Sequence, residues 1–270
     1  MDTSLASLGP RLERAQCQLN RSLALAVARA RPESSARCLD VGAGFALFLG
    51  AGNLMNQALC LALGEPISAA ELDAVEALLG QGGAEVKLET APFADPSLFL
   101  LLAARGYRIG DFQQVLWRAL DDAPSAPLPE GILVRPAAAH EAELFGQVVM
   151  AGFLEQDALP DAAASPFPRE AAEGASRWLA FVDGAPAGGG TLGVHDGVAT
   201  LAGTSTLPRF RGRGVQSALV RARLAAGRAA GCTLAVSSTL PATQSFRNLL
   251  RFGFQVLYPK VELIRGNWTP

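Results

Sequence analysis

Histidine is scarce in this chain of 270 residues, with two copies, and the four cysteines, Cys17, Cys38, Cys60 and Cys232, form no closely spaced pair. A metal site built from Cys and His ligands is therefore not expected, and the cysteines are read as four reduced, mostly buried thiols. Neither sign of charge dominates. Lys and Arg number 23 against 25 Asp and Glu, a net charge of −2, which excludes a generally basic surface for nucleic acid. Apolar runs such as Phe45–Gly52 and Leu98–Ala104 fall far short of the roughly 20 residues that cross a bilayer. Residues 1–16 lack the basic and then apolar pattern of a secretory signal, so a soluble, cytoplasmic protein without membrane contact is expected.

What is present is enough apolar material to fold: 50% of residues are hydrophobic and 18% are charged. The length suits two domains of ordinary size. Arg11 to Arg31 carries Leu12, Ala15, Leu19, Leu23, Ala26 and Val27 at helical spacing, the mark of an amphipathic helix. Cys38 to Leu63 reads as two or three buried strands. Ser68 stands three residues before Glu71, a capping-box spacing that opens a helix with Leu72, Val75, Leu78 and Leu79 on one face. Ala84–Thr90 alternates as a strand, Asp95-Pro96 starts a helix that ends at Gly106, and Tyr107–Leu120 returns as a strand. The stretch 121–129, DDAPSAPLP, has no apolar period and reads as a linker between domains 1–120 and 130–270.

After it, Ile132–Arg135 reads as a strand and His140–Gly152 as a helix. A proline-broken stretch, Leu154–Pro168, leads to a second helix at Arg169–Gly174. The pairs Asp183-Gly184 and Asp196-Gly197 separate alternating segments, the signal for two hairpins that make three antiparallel strands ending at Thr206. The last of them runs into Arg209-Phe210-Arg211-Gly212-Arg213-Gly214 and then a helix from about Val215. Glycines without Cβ let backbone N–H groups close on an anion, and a helix N-terminus points its positive end at the same place. The remainder reads as strand Leu234–Ser237, helix Gln244–Arg251 and strand Phe254–Ile264. Leu101–Leu120 and Leu249–Gly266 look alike, each a short helix, Gly-aromatic and alternating strand, which points to a degenerate duplication.

This order of elements, with the Arg/Gly loop after the third antiparallel strand and Gly253-Phe254 beyond it, resembles the GNAT superfamily of acetyl-CoA-dependent N-acetyltransferases. The resemblance covers about Ile132 to Arg265. It implies an α/β (α+β) fold of two GNAT-like domains, each a mixed, mostly antiparallel sheet flanked by helices. The first would be degenerate and without a cofactor loop, since Gly50-Ala51-Gly52-Asn53 has no flanking arginine. It implies acetyl-CoA as co-substrate and no metal. The pyrophosphate would lie on Arg209, Arg211, Gly212, Arg213, Gly214, Val215, Gln216 and Ser217, and the pantetheine arm along Thr204, Ser205 and Thr206, paired like an added strand. The acceptor would be a primary amine of a small molecule or peptide, with no nucleic acid, on a monomer or homodimer.

The family's frequent tyrosine and asparagine fall at Leu249 and Ala242, and Tyr107 and Tyr258 match neither position. The catalytic residues are therefore unknown, and an inactive acyl-CoA-binding sensor or interaction module is the alternative. A methyltransferase reading of Leu39-Asp40-Val41-Gly42-Ala43-Gly44 is weaker than a buried hairpin, because Phe45–Leu49 continues as a strand. His140 reads as a helix-start neighbour, His195 as a turn residue, and Glu155 and Asp157 as solvated loop acids. Ser237 and Ser238 are assigned to backbone groups.

Overall fold

The computed structural model describes residues 5–33, 35–120, 130–161 and 168–266, so the expected linker 121–129 lies outside the described residues. The elements are, in order, α1 (Leu5–Ala30), β1 (Arg37–Val41), β2 (Gly44–Phe48), β3 (Gln57–Leu59), α2 (Ala69–Leu79), β4 (Val86–Thr90), α3 (Pro96–Ala104), β5 (Arg108–Ala119), β6 (Ile132–Pro136) and α4 (Ala142–Phe153). Then follow β7 (Ala175–Val182), β8 (Ala185–His195), β9 (Val198–Thr206), α5 (Val215–Ala229), β10 (Leu234–Thr239), α6 (Gln244–Arg251) and β11 (Gln255–Arg265). The strands form open, mostly antiparallel sheet flanked by helices. Residues 1–116 with 238–270 form one compact unit and residues 117–237 the other.

In the first unit the strand order is β1-β2-β3-β4-β11-β5. β1, β2 and β3 are antiparallel, β3 pairs in parallel with β4, and β11 pairs antiparallel with β4 from Val261↔Thr90 to Arg265↔Val86. Alternation along β2 feeds two cores. Ala46 and Phe48 pack with Leu72, Val75, Leu79, Leu98 and Leu102 of α2 and α3, whereas Phe45 and Leu47 pack with Cys17 and Ala24 of α1. α2 opens on the full capping box of Ser68 and Glu71, and α3 on Asp95 with Pro96 at its first turn.

The last helix and strand, expected with the second half, thus group with the first unit. A buried polar network holds β11 there: Lys260 Nζ lies 3.0 Å from Glu13 Oε1 of α1 and 2.8 Å from Glu89 Oε1 of β4, and Tyr258 donates to Glu13 Oε2 at 2.5 Å. Cys17 and Cys60 are disulfide-bonded, leaving Cys38 and Cys232 as free thiols, which corrects the expectation of four reduced cysteines. Their separation of 43 residues hides the pairing from any local spacing rule. A disulfide is a feature of oxidising surroundings, so the cysteines give the cytoplasmic expectation no support.

In the second unit the order is β10-β9-β8-β7-β6, antiparallel except for β9 with β10. Both hairpin turns have the two positive φ angles that Asp-Gly turns supply: 51° and 80° at Asp183 and Gly184, and 49° and 70° at Asp196 and Gly197. Three consecutive glycines of β8 let helices approach from opposite sides. A Cβ at Gly189 would meet Val149 and Phe145 of α4, and one at Gly188 would meet Val215 and Leu219 of α5. The sheet is therefore layered between α4 and α5. Residues 168–174 are not helical, against the expected second helix; Gly174 turns the chain there at φ +68°. The Gly42-Ala43 turn closes the β1–β2 hairpin, so the glycines at 42–44 open no helix.

Candidate functional site

Among the described residues β9 is paired with β10 only from Val198 to Thr200, and its remaining residues, Leu201 to Thr206, pair with β8 alone. Ser237 Oγ closes the point of parting by donating to Leu201 O at 2.7 Å. The outcome is a strand with one unpaired edge, the feature to which an extended ligand adds as a further strand.

The chain leaves this edge through a tight turn. Phe210 N–H donates to Leu207 O and Arg211 N–H to Pro208 O, and Phe210 is buried beneath. Gly212 and Gly214 then stand at φ +76° and +88°, where side chains are strained. Among the described residues a Cβ at Gly212 would meet nothing within 4 Å, so the space above it is open. Gly214 caps α5 without a side chain, no acidic residue lies in the first turn, and the helix ladder opens with Ala218 N–H to Gly214 O. The amides of the first turn, Val215 to Ser217, precede that bond and project from the positive end of a helix of 15 residues.

The arginines are not simply aimed at this space. The Arg209 backbone N–H donates to Asp157 Oδ1 at 2.9 Å and its guanidinium to the Asp157 carbonyl oxygen at 3.1 Å, Arg211 lies 3.3 Å from Glu155 Oε1, and Arg213 lies 3.1 Å from Asp183 Oδ2. Glu155 and Asp157 thus brace the loop and are not merely solvated. The two exposed ion pairs, Arg211 with Glu155 and Arg213 with Asp183, contribute at most about 1 kcal/mol each, so an incoming anion competes with them at small cost. The hydroxyls of β9 also diverge. Thr204 Oγ1 accepts from Arg223 at 2.7 Å and Ser205 Oγ donates to Val149 O at 2.9 Å, while the buried Thr206 Oγ1 has no partner among the described residues. Arg223, which the sequence does not distinguish from Arg221 and Arg228 of the same helix, is fully buried on α5.

The two positions left without a catalytic side chain gain none from the fold. Ala242 is an exposed turn residue at φ +58°, and Leu249 is the buried residue of α6. Both tyrosine hydroxyls are committed to carboxylates, Tyr107 to Glu76 at 3.0 Å and Tyr258 to Glu13. Burial, and then the neighbouring carboxylate, push each phenol up. His140 is exposed in a turn before α4, and His195 ends β8 beside its turn with its pKa lowered by burial. Glu13, Cys17 and Cys60 lie close enough together to suggest metal ligands. The bonded sulfurs are not thiolates, however, and the Lys260 ammonium already neutralises Glu13.

Residues 146–254 match the model of the Acetyltransferase (GNAT) family. The match spans less than half of the chain, from within α4 to just past α6. Among solved structures, a GCN5-related N-acetyltransferase from Kribbella flavida is 21% identical, with a TM-score of 0.65 over 99% of this chain and 98% of that one. A tandem GNAT protein from the clavulanic acid biosynthesis pathway is 16% identical, with a TM-score of 0.58 over 85% of this chain and 80% of that one. A putative GNAT-family acetyltransferase from Novosphingobium aromaticivorans is 19% identical, with a TM-score of 0.53 over 82% and 91%. These likenesses establish the fold. No curated protein sequence matches the chain.

Proposed function

We propose that the protein is an N-acetyltransferase that moves an acetyl group from acetyl-CoA to the primary amine of a small molecule or peptide. The observation that carries the reading is the unpaired edge of β9 leading into the start of α5, whose glycine cap brings no side chain, with open space over Gly212. The arm of acetyl-CoA pairs along Thr204, Ser205 and Thr206, where the buried Thr206 hydroxyl lacks a partner. Its pyrophosphate lies over Gly212, Gly214 and the amides from Val215 to Ser217, with Arg209, Arg211 and Arg213 around it. The amine nitrogen attacks the thioester carbonyl carbon, the tetrahedral oxyanion collapses, and the C–S bond breaks to give the amide and a thiolate. The ammonium proton leaves to solvent or a base, and the thiolate takes up another.

The first half is read as a degenerate GNAT-like partner without a cofactor loop. Its α3 and β5 are joined through Gly106 at φ +73°, as α6 and β11 are through Gly253 at φ +76°. A second reading, acyl-CoA binding without transfer, is favoured by Ala242, Leu249 and the committed tyrosines. Measuring thiol release from acetyl-CoA across a panel of primary amines separates the two. Release with any amine supports transfer, whereas binding with no release across the panel supports the sensor.

A further inference from the structure

Arg223 is 0% exposed, and among the described residues no carboxylate pairs with it. Burial without a counter-charge pushes its guanidinium down to about 9. Such a group persists only when its donors are spent. Nε donates to Leu219 O at 3.1 Å, Nη1 to Thr191 O at 2.9 Å and Ala202 O at 3.3 Å, and Nη2 to Thr204 Oγ1 at 2.7 Å.

Three of these acceptors surround one irregularity. The β8–β9 register steps from Gly189↔Ser205 to Thr191↔Ala202, so Gly203 and Thr204 together face Gly190. Gly203 stands at φ +57°. This is a β-bulge, with one extra residue on β9, and it takes neighbouring carbonyls out of the regular ladder. Arg223 supplies donors to them from below. Gly190 makes the room, since a Cβ there would lie 2.6 Å from Arg223 Nη1 and 2.8 Å from Cζ. Glycine, bulge and arginine form one device, and it lies within the length of β9 whose other edge is unpaired.

We propose that Arg223 is a positioning residue for acyl-CoA, fixing the bulge at Gly203 and Thr204 and so the line of backbone groups that receives the pantetheine arm. The inference rests on the acetyl-CoA reading of this site. Arg223 does not touch the ligand; it acts through Ala202 and Thr204. A bulge that moves by one residue turns every following N–H and C=O to the other side, so an extended ligand loses its partners.

Two probes separate this from general stability: coenzyme A, and 3′-phospho-ADP, which is its nucleotide end without the pantetheine arm. Both are titrated calorimetrically into the full chain as wild type, Arg223→Lys and Thr204→Val. The variants are expected to lose about tenfold in affinity for coenzyme A, equivalent to about 1.4 kcal/mol, and none for 3′-phospho-ADP. Equal losses for both probes, or unchanged affinity for coenzyme A, overturn the proposal. Thr204→Val decides where Arg223→Lys fails to fold, because it removes one acceptor and keeps the side-chain shape. Wild type that binds neither probe refutes the acetyl-CoA reading, and the proposal with it.

Discussion

Replacing Lys260 by methionine keeps much of the side-chain volume and removes a buried cation. Glu13 is 1% exposed and Lys260 2%, so the remaining Glu13 carboxylate has no water to turn to. The Glu89 side chain is 14% exposed and relaxes more easily. Breaking a buried pair from one side costs about 3–5 kcal/mol, and with Glu89 partly solvated the lower end, about 3 kcal/mol, applies. For a chain of this size that lowers the thermal midpoint by roughly 10 °C. The pH dependence has a definite sign. Burial already raises the Glu13 pKa, and losing Lys260, the main opposing influence, raises it further. A carboxyl raised in the folded state stabilises below its unfolded pKa and loses that contribution as pH rises through the folded value, so the deficit of Lys260→Met grows as pH rises above the unfolded carboxyl value. Lys260 itself is raised by Glu13 and Glu89 against its burial, so its own contribution is complete at neutral pH and lost only in strong alkali. Thermal melts followed by circular dichroism, with the double variant Glu13→Gln, Lys260→Met expected to recover most of the loss, make the check. A midpoint within about 2 °C of wild type at neutral pH would falsify the reasoning.

Glu141 is held down to about 2 by the Arg135 guanidinium first and the Ala138 amide next. Its depressed pKa contributes stability above the unfolded value that is lost as pH falls toward about 2, so Glu141→Gln should lower the melting midpoint by the same amount at neutral and alkaline pH and converge on wild type in strong acid, flattening the acid limb. Ala242 stands at φ +58°, where an L side chain costs about 1–2 kcal/mol, so Ala242→Gly or Ala242→Asn should raise the melting temperature or leave it equal; a clear fall contradicts the assigned turn. Thiol titration of the unfolded, unreduced chain should count Cys38 and Cys232 alone. Reduction should then destabilise it by about 4 kcal/mol, from the closed loop of 43 residues. Four reactive thiols before reduction would contradict the bond.

Local chemistry was legible in the sequence wherever it set a backbone angle. The two Asp-Gly turns and the box of Ser68 and Glu71 form as spaced, and Gly212 and Gly214 are glycine because positive φ requires it. What could not be read was long-range partnership. Nothing near Lys260 announces that Glu13 and Glu89 await it, and nothing near Cys60 announces Cys17. The C-terminal strand was assigned to the second half by order alone, whereas antiparallel pairing with β4 places it in the first. The sequence offers no sign of Arg223's burial, because its acceptors, Thr191, Ala202 and Thr204, come from strands distant in sequence. At the site, the open edge of β9 follows from where β10 stops pairing, a register that no local pattern encodes.

The most direct test of the account is a calorimetric titration of coenzyme A into the full chain and into Gly212→Asp. The account predicts saturable binding to wild type and none to the variant, whose circular dichroism stays native, because the new carboxylate stands in the open space assigned to phosphate. Absence of binding to wild type at about millimolar ligand, or equal binding by the folded variant, would contradict it.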